Sequence, residues 1–311
     1  MSGRAVRVRA PGKVNLQLAV GPVGQDGFHP LATVFQAVDL YETVTAVVRD
    51  DDQITLAVDA VPALAGSLDG VPLDQSNLAW QAALAVRDRF GVDAGVDLHI
   101  LKGVPVAGGM AGGSADAAAA VVACTEAWEV GASRADLHEL CSMLGSDVPF
   151  SLHGHTAVGM GRGDQLSPAM TRGEYHWVFA VRHGGLSTPA VFREFDRLAQ
   201  ASAVPQRPEI DPDVMRALSL GDPALLGRAM SNDLQRAALS LEPSLERTLD
   251  AMREADALGA IVSGSGPTVA GLARSRQHAL AIAAHVQAVK AADATFCATG
   301  PAPGAVILED G

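Results

Sequence analysis

The stretch that decides the fold is a glycine-rich segment, and it reads Pro105-Val106-Ala107-Gly108-Gly109-Met110-Ala111-Gly112-Gly113-Ser114-Ala115-Asp116-Ala117-Ala118. The segment joins a loop with few side chains to an alanine-rich helix, which we predict from Ser114 to about Trp128. Glycines allow backbone N–H groups to approach an anion closely, and a helix N-terminus brings its positive dipole end to the same place. The pattern therefore predicts a binding site for a phosphate chain.

Two other phosphate-binding motifs do not occur in the chain. There is no G-x-x-x-x-G-K-[ST] and no G-x-G-x-x-G, which argues against a P-loop nucleotidase and against a dinucleotide-binding fold. For a glycine cluster of this kind, a helix entry that serves packing alone is the alternative interpretation. The residues by themselves leave both interpretations open.

The segments on either side of the loop mix strands and helices without regular β-α-β alternation. Alternating apolar residues predict one strand that includes Val14, Leu16 and Leu18 and another over residues 31–48. Helices are predicted over about residues 77–90, 134–144, 211–220, 222–238 and 243–257, with another from about Pro189. This organisation favours an α+β fold over a doubly wound α/β fold.

Turn residues cluster at 159–164, and the residue pattern of the sequence changes near this cluster. With 311 residues, the chain is long enough for two modest domains. We therefore predict an N-terminal domain over residues 1–165 and a C-terminal domain over residues 166–311.

The composition excludes several classes of protein. Hydrophobic residues make up 48% and charged residues 19%, which is typical of a globular chain and not of a disordered one. The three cysteines include no C-x-x-C pair, which argues against a disulfide framework and a structural zinc site. No secretory signal and no membrane-spanning stretch is found, so we expect a cytoplasmic protein without a membrane partner.

The net charge of −12 argues against nucleic-acid binding, which depends on cationic groups that neutralise phosphates. We therefore expect a small-molecule partner and no nucleic-acid partner. Lysine is rare, because Lys13, Lys102 and Lys290 are the only three among twenty-three basic residues. Arginine could serve most solvation roles, so each retained lysine deserves a structural explanation.

Three motifs in the chain resemble those of the GHMP kinases. The glycine-rich loop resembles their phosphate-binding motif, and two further segments resemble their first and third motifs: Ala10-Pro11-Gly12-Lys13-Val14-Asn15-Leu16 and Ser263-Gly264-Ser265-Gly266-Pro267-Thr268. The resemblance implies a two-domain GHMP kinase fold with the active site in the cleft between the domains. It also implies a kinase that uses ATP and Mg²⁺ to phosphorylate an alcohol group of a small metabolite.

Further segments narrow the resemblance to one branch of this family. These segments are Asp26–Phe35, Gly145–Phe150 and Ser187–Phe192. They resemble the branch that phosphorylates a methylerythritol linked to cytidine diphosphate, in the non-mevalonate route to isoprenoid precursors. The chain departs from the usual pattern at four positions, which are Phe28, Met110, Ala111 and Ala115.

The resemblance assigns the catalytic roles to Lys13 and Asp147. A crowded tertiary hydroxyl is a weak acid, so a carboxylate base beside it is chemically reasonable. A cation within about 4–6 Å favours the ionised form of such a carboxylate. Without the family, an aspartate in G-x-D-x-P is by default a turn or capping residue, and a lysine at a strand start is by default solvated.

The resemblance also assigns the binding residues. ATP is expected to contact the loop residues Pro105, Val106, Ala107, Gly108, Gly109, Met110, Ala111, Gly112, Gly113, Ser114 and Ala115. The cytidine-diphosphate-linked substrate is expected to contact Asn15, Phe28, His29, Thr188 and Phe192. The resemblance assigns no protein ligand to Mg²⁺. Ser114 and Asp147 are the candidate ligands.

Two rival functions follow from the same residues. A different GHMP kinase, such as a homoserine or mevalonate kinase, would have no use for a base-recognition segment at Gly27-Phe28-His29. A non-catalytic nucleotide-binding protein on the same fold would have no reason to keep both Lys13 and Asp147. Both rivals are tested by the acceptor that the protein phosphorylates.

Overall fold

Two β-sheets organise the computed structural model, which describes residues 4–64, 68, 70–106, 108–182, 184–199 and 207–309. In these residues the first sheet consists of eight strands: β1 (Ala5–Val20), β2 (Leu31–Val48), β3 (Ile54–Ala60), β4 (Val96–Lys102), β5 (Thr156–Gly161), β6 (Gln165–Pro168), β8 (Ser231–Asn232) and β12 (Val306–Leu308). The main path has the order β12-β1-β2-β4-β3. Outside this path, β8 pairs with β1, β5 pairs with β2, and β6 pairs with β5. The second sheet has four strands in the order β11-β7-β10-β9: β11 (Ala294–Gly300), β7 (Tyr175–Val181), β10 (Val269–Ala273) and β9 (Gly259–Val262).

The long antiparallel pair β1–β2 forms the centre of the first sheet. Its register runs from Ala5 opposite Val47 to Val20 opposite Leu31. The register shifts between Pro11 and Gly12 and again between residues 15 and 17. Such irregularities bend a strand and re-aim its side chains, and here they flank the segment that contains Lys13.

The helices pack on the two sheets: α1 (Leu78–Phe90), α2 (Gly112–Ala127), α3 (Arg134–Leu144), α4 (Val148–His153), α5 (Thr188–Ala199), α6 (Pro212–Leu220), α7 (Pro223–Ala229), α8 (Gln235–Leu241), α9 (Ser244–Glu254) and α10 (Arg276–Ala288). A short 3₁₀ turn covers Pro62–Leu64. Helix α2 is the central one, since it contacts β1, β2 and α1 and buries twelve of its sixteen residues. Its alanines keep the helix narrow, which lets it lie close against the first sheet.

The mixed α+β organisation predicted from the sequence is confirmed. Helices α1 and α3 match the predicted ranges of about 77–90 and 134–144 to within one residue. In the structure Asn77 and Ser133 are their N-caps, and Gly91 and Gly145 are their C-caps. The domain boundary after residue 165 stays a prediction, and in the structure this position lies within β6.

Two predicted helices differ from the structure. Helix α2 begins at Gly112 and not at Ser114, because Ala111 adopts a left-handed conformation and becomes the N-cap. The single helix predicted over residues 222–238 is wrong, because α7 and α8 are separate helices with strand β8 between them. The interruption has a tertiary cause: β8 pairs with β1, and the Asn232 side-chain amide donates to the carbonyl oxygens of Val262 and Gly264.

Across the described ranges, no helix has both the length and the apolar character that a membrane crossing requires.

Candidate active site

A pocket of about 410 Å³ lies where three segments that are distant in the sequence meet. These segments are the glycine-rich loop, the turn before α4, and the loop between β9 and β10. Strands β1 and β2 form the floor, where Lys13, Asn15, Thr33 and Phe35 line the pocket. The pocket therefore brings the first and third GHMP-like motifs to the glycine-rich loop.

The N-terminus of α2 lies at the pocket wall without a side-chain cap. Ala111 occupies the N-cap position at φ 59° and ψ 34°, and no side chain hydrogen-bonds to the first turn. The first intrahelical bond joins the Ala115 N–H to the Ala111 carbonyl oxygen at 2.9 Å. The preceding N–H groups of the helix have no carbonyl partner within it, and Gly112 and Gly113 line the pocket. This arrangement is suited to an anion.

The loop between β9 and β10 packs closely against the glycine-rich loop. The Ser263 hydroxyl donates to the Gly109 carbonyl oxygen at 3.2 Å. Gly109 has φ +70°, and a Cβ on this residue would overlap the Ser263 carbonyl oxygen. A Cβ on Gly108 would lie 2.7 Å from the hydroxyl of Thr268. Both glycines are therefore required by the close contact between the two loops.

Lys13 is held in the pocket floor by a chain of hydrogen bonds. Its Nζ donates to Asn15 Oδ1 at 2.7 Å, and Asn15 Nδ2 donates in turn to Thr33 Oγ1 at 2.8 Å. The main-chain N–H of Lys13 donates to the Met110 carbonyl oxygen at 3.1 Å, which joins β1 to the glycine-rich loop. Burial lowers the pKa of Lys13, and the nearby Asp147 carboxylate opposes this shift.

Asp147 is the acidic side chain that faces Lys13. Its Oδ2 lies 3.8 Å from Lys13 Nζ, and its side chain is 33% exposed. Asp147 occupies the N-cap position of α4, but its side chain makes no capping hydrogen bond. The default interpretation of this residue as a helix cap is therefore not what the structure shows. The carboxylate lines the pocket instead.

A second pocket of about 610 Å³ adjoins the first. The two pockets share five lining residues: Leu31, Ser146, Arg162, Thr188 and Phe192. Phe28 lines the second pocket with a side chain that is 51% exposed, and the Arg162 guanidinium lies 4.7 Å from the centre of its ring. An exposed aromatic ring beside a cation is suited to a flat, charged ligand such as a nucleotide.

His29 belongs to the connection between β1 and β2, and its ring lies against α5. Its ring stacks on Phe192 with 4.9 Å between ring centres. Its Nδ1 lies 2.9 Å from the Gly21 carbonyl oxygen, and its Nε2 lies 3.5 Å from Asp196 Oδ2. Both ring nitrogens therefore have protein neighbours, so the main-chain groups of His29 are better placed than its ring to contact a base.

The structure brings most of the predicted site residues together. The first pocket contains Lys13, Asn15, Gly108, Gly109, Ala111, Gly112, Gly113, Asp147, Thr188 and Phe192. Phe28 and His29 line the second pocket, and Thr188 is tied to the β9–β10 loop through a 2.9 Å contact between its hydroxyl and that of Ser265.

The remaining loop residues lie apart from both pocket linings. These are Pro105, Val106, Met110, Ser114 and Ala115. The side chains of Met110 and Ala115 are fully buried, because they pack into the core on the far side of the loop. Ala107 lies outside the described residues. A contact between ATP and any of the eleven predicted loop residues stays a prediction.

Sequence reasoning missed several lining residues of the two pockets, among them the charged residues Arg162 and Asp196. Arg162 lines both pockets, but its turn was interpreted only as a domain boundary. Asp196 lies beside His29, and its position four residues after Phe192 places it on the same face of α5. That helical spacing is the signal that would have found Asp196.

Two family descriptions match the sequence. Residues 77–155 match "GHMP kinases N terminal domain", and residues 214–292 match "GHMP kinases C terminal". The first range includes the glycine-rich loop and Asp147, and the second includes the loop between β9 and β10.

Two curated relatives are similar over almost their whole length. A Streptomyces avermitilis protein named 4-diphosphocytidyl-2-C-methyl-D-erythritol kinase is 52% identical over 305 residues, which cover 98% of this chain and 100% of the relative. A Mycolicibacterium smegmatis protein of the same name is 48% identical over 306 residues, covering 98% of this chain and 92% of the relative.

Solved structures show the same fold. A crystal structure of 4-(cytidine 5'-diphospho)-2C-methyl-D-erythritol kinase superposes with a TM-score of 0.74 at 27% identity, over 94% of this chain and 98% of the other. A crystal structure of "L. major mevalonate kinase in complex with R-mevalonate" also reaches a TM-score of 0.74 at 18% identity, over 95% of this chain and 96% of the other. The second likeness concerns the fold alone.

Proposed function

The chain belongs to the GHMP kinase family, and from this premise we propose that it transfers the γ-phosphate of ATP to the 2-hydroxyl of 4-diphosphocytidyl-2-C-methyl-D-erythritol. The reaction belongs to the non-mevalonate route to isoprenoid precursors. The family and the small-molecule kinase activity predicted from the three motifs are confirmed. The cytoplasmic location and the absence of nucleic-acid and membrane partners stay predictions.

The observation that carries the proposal is the position of one ion pair. Lys13 and Asp147 lie 3.8 Å apart in a pocket whose wall is the uncapped N-terminus of α2. A base and a cation beside an anion-binding helix end are the groups that phosphoryl transfer requires. A packing role for the glycine-rich loop would explain neither the ion pair nor the missing cap.

The proposed reaction assigns one task to each group. The acceptor hydroxyl gives its proton to the Asp147 carboxylate, and its oxygen forms a bond to the γ-phosphorus. The bond between this phosphorus and the oxygen that bridges to the β-phosphate breaks, and ADP leaves with the electron pair. The Lys13 ammonium offsets the negative charge that develops on the transferring group. Asn15 holds Lys13 in position through its 2.7 Å hydrogen bond.

The first pocket offers few protein ligands for Mg²⁺. The described residues contain no group of three or more acidic, histidine or cysteine side chains that would hold a metal by themselves. Asp147 is the carboxylate in the pocket lining, so phosphate oxygens and water would supply most of the ligands. When bound, Mg²⁺ neutralises charge on the phosphates.

The second pocket is the proposed site of the cytidine. Phe28 and Phe192 supply aromatic faces for a base, and the main chain of His29 supplies hydrogen-bonding groups. Arg162 lines both pockets, so it is placed to pair with the diphosphate that joins the base to the methylerythritol. The reacting hydroxyl would then lie in the first pocket, beside Asp147.

The proposal is tested by the choice of phosphate acceptor. We expect kcat/KM for 4-diphosphocytidyl-2-C-methyl-D-erythritol to exceed the values for mevalonate and homoserine by at least about 10³-fold, because a site with unpaired base-recognition groups rejects acceptors that lack the base. Equal or faster turnover of mevalonate or homoserine would identify a different GHMP kinase. ATP consumption at background with all three acceptors would favour a non-catalytic nucleotide-binding protein.

The variant His29→Ala tests the cytidine site within the same assay. The His29 ring stacks on Phe192 and holds in place the main chain that the proposal sets against the base. Its loss is expected to raise the KM for the cytidine-linked substrate by about tenfold or more, while the KM for ATP changes by less than about twofold. His99→Ala is the matched control, because His99 also faces an aspartate, Asp59, but lies outside both pockets. An equal rise in both KM values for His29→Ala would contradict a role of the His29 ring in holding the cytidine site.

A further inference from the structure

A buried cluster of three ionisable side chains lies beneath the glycine-rich loop. We call Glu42 of β2, Lys102 of β4 and Asp116 of α2 the buried triad. Lys102 Nζ lies 2.6 Å from Glu42 Oε1 and 2.5 Å from Asp116 Oδ2. All three side chains are less than 5% exposed. Burying charges of this kind costs free energy, so we expect the triad to have a function in the protein.

The buried triad touches both ends of the glycine-rich loop. Before the loop, the main-chain N–H of Gly103 donates to Glu42 Oε2 at 2.9 Å. After the loop, Glu42 Oε1 lies 2.7 Å from the point that a Cβ on Gly112 would occupy. Asp116 belongs to the second turn of α2, the helix whose first turn forms the pocket wall. The triad therefore connects the sheet to the two points where the loop begins and ends.

The charge of the buried triad depends on one proton. With every group ionised, two carboxylates and one ammonium give a net charge of −1. Burial, reinforced by the Asp116 carboxylate, raises the pKa of Glu42 to about 8, while Lys102 and the Gly103 N–H oppose the shift. Burial also raises the pKa of Asp116. Both shifts favour a protonated carboxyl group, and with one of the two carboxylates protonated the triad has no net charge.

One carboxylate oxygen of the triad has room for such a proton. Asp116 Oδ1 is buried and makes no hydrogen bond in the described chain, while Asp116 Oδ2 and Glu42 Oε1 face the Lys102 ammonium. The ionisable groups that act on Glu42 are Lys102 from β4 and Asp116 from α2. Neither pocket lining includes any member of the triad, so we treat these residues as positioning groups.

We propose that the buried triad is a positioning element for the ATP-binding loop, and that it must hold a proton for the loop to bind the ATP phosphates at full affinity. This inference rests on the proposed function, because it takes the loop to be the phosphate site. Loss of the proton places a net negative charge behind the N-terminus of α2. That charge opposes the negative phosphates across a region of low polarity.

The test compares the wild-type protein with Glu42→Gln between about pH 6.5 and about pH 9.5. Glutamine has the shape of the protonated glutamate and cannot lose a proton. We expect the wild-type KM for ATP to rise on the order of fivefold above about pH 8, with the KM of the variant staying level. Asp97→Asn is the control, because Asp97 lies on the same strand β4 and pairs with Arg49 outside the triad. Its pH profile should match the wild type.

A second readout requires no turnover. The rise in melting temperature that ADP causes reports its affinity, and in the wild type it should shrink above about pH 8 but stay constant in Glu42→Gln. If Glu42→Gln does not fold, Asp116→Asn serves in the same two assays, because it also removes the net negative charge. Profiles that coincide for the wild type and the folded variant would overturn the proposal.

Failure of the proposed function can be distinguished from failure of the proposal about the triad. Absence of turnover in the wild type at every pH would contradict the kinase reaction, while the ADP measurement would still decide the role of the triad.

The triad also has a consequence for stability, whose sign is fixed by the direction of the pKa shift. The folded protein holds the Glu42 proton at pH values where the unfolded chain has lost it. Stability therefore falls as the pH rises from about 4.5 towards about 8, and it levels off above that range. We expect the melting temperature of Glu42→Gln to fall less over this interval than that of the wild type.

Discussion

Replacing Asp147 with asparagine is expected to lower kcat by about 10²–10⁴-fold, with less than about a threefold change in the KM for ATP. An amide has the shape of a carboxylate, but it cannot accept the proton of the acceptor hydroxyl. Asp147 makes no helix-capping hydrogen bond, so its replacement removes no support from α4. The loss should therefore appear in the chemical step and not in folding.

Steady-state kinetics and a thermal melt of the same preparation check this expectation. Asp88→Asn on the exposed face of α1 is the control for the loss of one negative charge, and it should turn over at the wild-type rate. Turnover of Asp147→Asn close to the wild-type value would remove Asp147 from the role of base. A large drop in melting temperature would show that Asp147 acts mainly in the structure.

Replacing Lys13 with methionine is expected to lower kcat/KM by about 10²–10³-fold with little change in stability. Methionine keeps the length and apolar stem of lysine and removes only the ammonium. Burial lowers the pKa of Lys13, so the folded protein holds this charge at a cost that the unfolded chain does not bear. Relief of this cost opposes the loss of the hydrogen bond to Asn15 Oδ1, so the free energy of unfolding should change by less than about 1 kcal/mol.

The control for this variant is Lys290→Met, which removes an exposed lysine after α10. It should change neither kcat/KM nor the free energy of unfolding. Activity and stability are measured together, by steady-state assays and urea denaturation. If Lys13→Met loses activity and stability in parallel, Lys13 holds the pocket together and does not act on the transferring phosphate.

Local signals in the sequence predicted the elements that local interactions decide. The N-cap Asn77 and the left-handed C-cap Gly91 define α1 within the chain itself. The start of α2 was placed two residues late, because Ala111 adopts a left-handed conformation that alanine rarely takes. The break between α7 and α8 could not be predicted, because it depends on pairing with β1, which is distant in the sequence.

For the candidate site too, some features could be predicted from the sequence and others could not. The resemblance to GHMP kinases predicted that Lys13 and Asp147 act together, and the structure places them 3.8 Å apart. No local pattern predicted that Glu42 and Asp116 meet Lys102, because β2, β4 and α2 come together only in the folded chain. The scarcity of lysine was the one signal, since Lys13 and Lys102 are both buried in ion pairs while Lys290 is exposed.

The account depends most on the claim that the first N–H groups of α2 bind the phosphate chain of ATP. An amide NMR titration tests it directly, with a non-hydrolysable ATP analogue in one arm and adenosine, which lacks phosphates, in the other. The account predicts large shifts of the Gly112, Gly113 and Ser114 amide signals with the analogue and almost none with adenosine. Saturable binding of the analogue that leaves these three signals in place would contradict it.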